Sequence, residues 1–355
     1  MKRIFLVLLA SAAICRAEWD LGDLPAYQPQ RKVGGTIRIV GTPFRGAVQA
    51  WEAAFSRHHP DVKFTNTLDS SDIAMASMIL GAADIASSGR EPSLEEVLGF
   101  TEKNGHGVTS LVVASGAWNT PGGASWSPVV FVHKDNPLTH LTMEQLDGIF
   151  GAERTGGYGE NSIVWSTRGA RGPEKNIRTW GDLGLGGDWK DKPIQTYGYA
   201  PTGMRHFFEL HVFDGGGKWN PNYREYVETG TKMVEPGASN GSHDMLVALS
   251  HDKYGIGWSG NGQAASVPGL KAIALGRTPG RYFEPDAQNM QRRDYPLTRN
   301  VFMYIDRKPG EAVDPKVKEF LLFVLSHEGQ EILAKGGNQL PLPKDAVLEQ
   351  RKKLD

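Results

Sequence analysis

Thr36-Ile37-Arg38-Ile39-Val40, followed at once by Gly41-Thr42-Pro43-Phe44, decides the fold. The first five residues alternate and are largely β-branched, which predicts a strand. Pro43 suits a first helical position, and Val48, Trp51, Ala54 and Phe55 then recur at helical spacing. Val62-Lys63-Phe64 reads as a second strand. Ser70 or Ser71 caps a second helix whose apolar residues are Ile73, Met75, Met78, Ile79 and Leu80. Asp84-Ile85-Ala86-Ser87-Ser88 is a short buried strand running into a loop. Strand, helix, strand, helix, strand in this order predicts a parallel sheet covered by helices.

Working outward, residues 108–114, 127–132, 193–199, 254–258, 270–275 and 301–305 are further strands. Thr142-Met143-Glu144-Gln145 is a capping box opening a helix through Phe150. Residues 151–175 lack periodicity and form a surface excursion, whereas residues 316–335 read as one amphipathic helix ended by Gly336-Gly337. About 340 residues after a leader exceed what one core supports, so two α/β lobes are expected. Lobe 1 spans residues 35–130 and 261–345, and lobe 2 spans 131–260, with an arm at 18–34 and a tail at 346–355.

Residues 1–17 have the makeup of a secretory signal peptide. Lys2 and Arg3 precede an apolar run from Ile4 to Ile14, and Cys15-Arg16-Ala17 ends it. The expectation is export to the periplasm. A lipid anchor at Cys15 is the weaker reading, because Ala12-Ala13-Ile14 makes a poor lipobox. Formal charge is −1, and losing Lys2, Arg3 and Arg16 with the leader leaves 36 basic against 40 acidic residues. That balance excludes the basic face a nucleic-acid partner would need.

Three hydroxyl- or glycine-rich segments stand where strands turn into helices: residues 41–44, 69–72 and 202–205. Helix starts carry unpaired N–H groups and positive potential, so such places suit a small anion. Arg90 and Arg205 add guanidinium forks that match a tetrahedral oxyanion.

In series, these motifs resemble the periplasmic phosphate-binding protein family of ABC transporters, which has the type II periplasmic-binding fold. The first two phosphate loops are matched by Gly41-Thr42-Pro43-Phe44 and Asp69-Ser70-Ser71, and the third by Asp84 through Arg90. Asn136-Pro137-Leu138 and Leu141 through Leu146 are similar to its lobe-crossing segment, and Thr202-Gly203-Met204-Arg205 to its signature loop. Tyr254 through Trp258, Tyr295 through Arg299 and Glu328-Gly329-Gln330 complete the order. The resemblance implies two α/β lobes with mixed, mostly parallel sheets, flanking helices and an interlobe cleft. It implies phosphate or a similar oxyanion held by Thr42, Phe44 through its N–H, Ser70, Ser71, Ser88, Arg90, Thr202, Gly203, Met204 and Arg205. It further implies a monomer that delivers its ligand to an ABC permease in the inner membrane, with no cofactor and no catalysis. Two departures are visible. Met204 replaces a hydroxyl of the signature loop, and Gly89 separates Ser88 from Arg90.

Other chemistries fit the residues less well. Gly237-Ala238-Ser239-Asn240-Gly241 has the spelling of a nucleophile elbow, but Glu235-Pro236 interrupts the strand such an elbow requires. A phosphate-ester hydrolase built on Ser239 is one alternative, and a sensory or adhesion module on the same fold is another. His58-His59 is an adjacent pair rather than a metal motif.

Overall fold

The computed structural model describes residues 19, 21–118, 125–227 and 241–355. The expected leader at 1–17 and most of the Gly237–Gly241 elbow motif lie outside the described residues. Among those described, two five-stranded sheets each carry their own apolar core. No helix among them is long and apolar enough to cross a membrane.

The first sheet is built from β1 (Gly35–Gly41), β2 (Val62–Leu68), β3 (Ile85–Ser88), β4 (Thr109–Ser115) and the late strand Asn300–Ile305. Its order is β2-β1-β3, then Asn300–Ile305, then β4, with the first three strands parallel and the late strand antiparallel to both neighbours. Between β1 and β2 lies α1 (Ala47–Phe55), and between β2 and β3 lies α2 (Ala74–Ile79). Because β2 and β3 flank β1 on opposite sides, the carboxyl end of β1 is a topological switch point, where open α/β sheets place ligands.

The second sheet contains β5 (Pro128–His133) and strands Gln195–Tyr199, Arg224–Tyr226, Gly255–Gly260 and Leu270–Ala272. Strand β6 (His140–Thr142) pairs instead with Ala274–Thr278. Helix α3 (Leu94–Asn104) covers lobe 1, whereas α4 (Met143–Phe150) and α5 (Gly203–Val212) cover lobe 2. The Thr142 capping box is present, with Thr142 Oγ1 accepting from Gln145 N–H at 3.1 Å.

The two cores divide the described residues at points other than the expected lobe boundaries. Residues Val129 to Val132 and Ile273, Leu275, Met290, Tyr295 and Leu297 all belong to the second core. The expected crossings lie near 130 and 260, whereas Ala114 and Val301 belong to the first core and Ala117 and Leu297 to the second. There the two connecting segments are tied together. Gly116 N–H donates to the Arg299 carbonyl at 2.8 Å, and Arg299 N–H donates to Ser127 Oγ at 3.0 Å. An apolar strand announces itself locally, but the sheet it joins is a non-local matter that pairing alone settles.

Three further elements depart from expectation. The 316–335 helix is two, Pro315–Val324 and His327–Gly336, broken at Leu325 with Ser326 Oγ accepting from Gly329 N–H at 3.3 Å. The 346–355 tail is largely a packed helix, Lys344–Lys352, whose Gln350 Oε1 accepts from Val112 N–H at 3.0 Å. Pro43 does not begin α1, because Phe44 and Arg45 take left-handed φ values of 46° and 53°, and α1 starts after Gly46.

Candidate functional site

The register of the first sheet sets the site. Gly41 at the end of β1 stands beside Leu68 of β2 and Ser87 of β3, so three loops leave the sheet at one level. Adjacent strands are about 4.8 Å apart, which makes these loops immediate neighbours. Gly41 is required there. Its φ is +137°, and a Cβ would lie 1.9 Å from the Ser87 carbonyl oxygen.

Segment 87–90 is the hub. Thr42 N–H donates to the Ser87 carbonyl at 2.9 Å, and Ser87 Oγ returns a bond to the Thr42 carbonyl at 2.8 Å. Ser71 Oγ accepts from Gly89 N–H at 2.9 Å. From lobe 2, Gly203 in the first turn of α5 lies against Arg90, where a Cβ would fall 3.0 Å from Arg90 Cδ. The turns that carry Thr42, Ser71 and Gly203 thus meet on one four-residue segment between the lobes.

Other expected ligands have local duties. Ser70 Oγ caps its own turn, accepting from Asp72 N–H at 3.2 Å. Ser88 Oγ accepts from Arg90 N–H at 3.2 Å and donates to the Arg90 carbonyl at 2.8 Å, closing a tight turn. The Phe44 side chain is buried against Trp51. Thr202 Oγ1 accepts from Arg205 N–H at 3.4 Å as the cap of α5. Met204 is buried, with its Sδ on the guanidinium of Arg299.

The two arginines differ. Arg205 bonds to Glu209 and Glu225 and lies over Trp219 and Tyr223, within lobe 2. Arg90 sits between the lobes, its side chain 15 % exposed. Its Nη1 and Nη2 grip Glu96 in a two-pronged pair at 2.7 and 2.9 Å, and Nη1 also reaches the Glu91 carbonyl at 3.0 Å. The opposite edge, Nε and Nη2, shares the single oxygen Asp72 Oδ1 at 3.3 and 3.2 Å. Burial opposes the charge on Arg90, but Glu96 and Asp72 outweigh it and raise the pKa. Glu96 also accepts from Ser93 N–H at 2.8 Å in the capping box of α3, so its grip on Arg90 is rigid. Asp72 is 81 % exposed, and its pairing is the weaker one.

Sequence reasoning missed Glu96, Asp72 and Glu91 as neighbours of Arg90. For Glu96 a signal existed, because Ser93 and Glu96 have capping-box spacing directly after the arginine.

Comparison with known proteins gives a consistent answer. A family model described as "PBP superfamily domain" matches residues 26–328. The phosphate-binding protein PstS of Pseudomonas aeruginosa PAO1 is 32 % identical over 324 residues, covering 90 % of this chain and 87 % of that protein. Protein SphX of Synechococcus elongatus is 24 % identical and covers 96 % and 86 %. Among solved structures, PstS from Borrelia burgdorferi has a TM-score of 0.52 at 16 % identity, covering 88 % of this chain and 100 % of that one. An ABC-type phosphate transport receptor from Vibrio cholerae has a TM-score of 0.51 at 18 % identity, covering 86 % and 100 %. The structural likenesses establish the fold.

Proposed function

The chain belongs to the PBP superfamily and, within it, to the phosphate-binding proteins, and from that premise we propose that it captures inorganic phosphate between its lobes and delivers it to an ABC permease. No bond is made or broken. The observation that carries the site is the meeting of Thr42, Ser71 and Gly203 on segment 87–90.

In this reading Thr42, the Phe44 N–H, Ser71, Arg90, Thr202 and Gly203 surround the anion. Ser70, Ser88, Met204 and Arg205 shape the surrounding turns. Arg90 keeps its grip on Glu96 and exchanges Asp72 for the ligand along the Nε and Nη2 edge. The exchange favours phosphate because Asp72 offers that edge one oxygen, whereas phosphate offers two in the fork geometry guanidinium prefers. A cleft that excludes water strengthens each of these bonds.

Closure turns on the tied segments at Gly116 and Arg299, and the closed form is what the permease recognises. The protein works as a monomer in the periplasm after loss of residues 1–17.

The test is calorimetric titration of the mature chain with phosphate, followed by sulfate competition. One-to-one binding of phosphate that equimolar sulfate fails to displace is expected. No saturable binding up to millimolar phosphate would overturn the assignment.

A further inference from the structure

Next to Arg90 lies a second cluster that phosphate capture does not use. Glu91 of lobe 1 is fully buried, and its Oε1 lies 3.2 Å from Nε2 of His211 on α5. Its Oε2 has no hydrogen-bond partner among the described residues. Glu160, in the 151–175 excursion, completes a group whose nearest donor atoms all lie within 4.8 Å of one another. We propose that Glu91, Glu160 and His211 form a divalent-cation site that takes a first-row transition ion such as Zn²⁺ or Co²⁺ and joins the two lobes.

Donor chemistry selects the ion class. One imidazole and two carboxylates suit Zn²⁺ and its neighbours, which bind nitrogen and oxygen at about 2.0–2.2 Å. Ca²⁺ needs six or more oxygens, and this set is too small for it. Ligands of a tetrahedral ion with such bonds are about 3.3 Å apart. The Glu91–His211 pair already has that spacing, and side-chain rotation of the exposed Glu160 brings in the third donor. On binding, the imidazole presents its Nε2 lone pair and carries its proton on Nδ1.

One observation goes beyond the cluster itself. A buried carboxylate oxygen without a partner is costly, and a cation held by Glu91 would satisfy it. The supporting elements are in place as well. His206, five residues before His211 on α5, contacts the Pro92 carbonyl through Nε2 at 3.3 Å. Tyr158, Gly159 and Asn161 of the excursion line one interlobe pocket with Pro92 and Leu94. The excursion would then supply a ligand that straps lobe 2 to lobe 1.

The test uses the mature, tag-free chain stripped with chelator and titrated with Co²⁺ alone, both without phosphate and with phosphate saturating. Binding of one equivalent is expected, with a visible band from nitrogen and oxygen ligation. Both Glu160→Gln and His211→Ala should weaken it by more than about tenfold, the scale on which even outer-sphere partners matter. Unchanged melting of the metal-free variants separates this from misfolding. A simple Glu91–His211 ion pair would give no cobalt signal. Absence of saturable binding in both conditions, or equal binding by both variants, overturns the proposal. Phosphate titration of the metal-free protein reports on transport function alone, so either reading can fail without the other.

Discussion

Gly203 of lobe 2 stands close against Arg90 of lobe 1, since a Cβ there would lie 3.0 Å from Arg90 Cδ and the arginine stem would have to give way. The lobes meet at this point through backbone on one side and a guanidinium stem on the other. Gly203→Val should therefore hold the lobes apart and weaken phosphate binding more than about tenfold, roughly 1.4 kcal/mol. Gly203→Ala should have a smaller effect in the same direction, because the stem can shift a few tenths of an ångström. Calorimetry reads both, and an unaltered dissociation constant for the valine variant would mean the ligand-bound lobes do not close here.

Arg90 and Asp72 make opposite predictions. Arg90→Ala should weaken phosphate binding by at least about 1.5 kcal/mol, the lower end for hydrogen bonds to charged groups. Asp72→Asn should tighten it several-fold, because the carboxylate that competes for Nε and Nη2 is neutralised. If the asparagine variant instead bound phosphate more weakly and lost its preference over sulfate, Asp72 would be accepting a proton from the ligand.

Much of this was legible in the chain. Segment 36–88 spelled strand, helix, strand, helix, strand, and the parallel β2-β1-β3 arrangement followed. The hydroxyls of Thr42 and Ser71 were visible as turn residues at strand ends. What sequence could not convey was competition for the same donors. Nothing local in Ser87-Ser88-Gly89-Arg90 tells that Ser88 closes its own turn or that Arg90 is gripped by Glu96 from the next helix. The sheet that residues 270–275 join is hidden for a related reason. They look like any buried strand, and only pairing with β5 assigns Leu270–Ala272 to the second sheet.

The excursion at 151–175 should depend on Asp147. Arg154 bonds to both carboxylate oxygens at 2.8 and 2.6 Å, Arg171 lies 3.5 Å away, and both guanidinium side chains are only 3 % exposed. Asp147→Asn leaves buried positive charge uncompensated, which costs about 3–5 kcal/mol. Urea unfolding should register that loss. Because the excursion carries Glu160, the same variant should also bind Co²⁺ more weakly.

A pH effect is expected from His59. Its ring stacks on Phe55 at 4.6 Å, Nδ1 accepts from Val33 N–H at 3.4 Å, and Nε2 donates to the Tyr27 hydroxyl at 2.7 Å. Tyr27 in turn donates to Glu319 Oε2 at 2.9 Å. This chain of bonds needs the neutral imidazole, since a proton on Nδ1 would face the Val33 N–H. Burial pushes the His59 pKa below its ordinary value, and Glu319 opposes that while Lys32 and His58 add to it. The unfolded chain thus takes up the proton at higher pH than the folded one, so stability is full above about pH 6.5 and declines as pH falls toward the folded value. Unfolding free energy measured from pH 7.5 to 5 should fall more steeply for the natural chain than for His59→Gln, whose amide can keep both bonds without titrating. Parallel profiles for the two would remove His59 as the source.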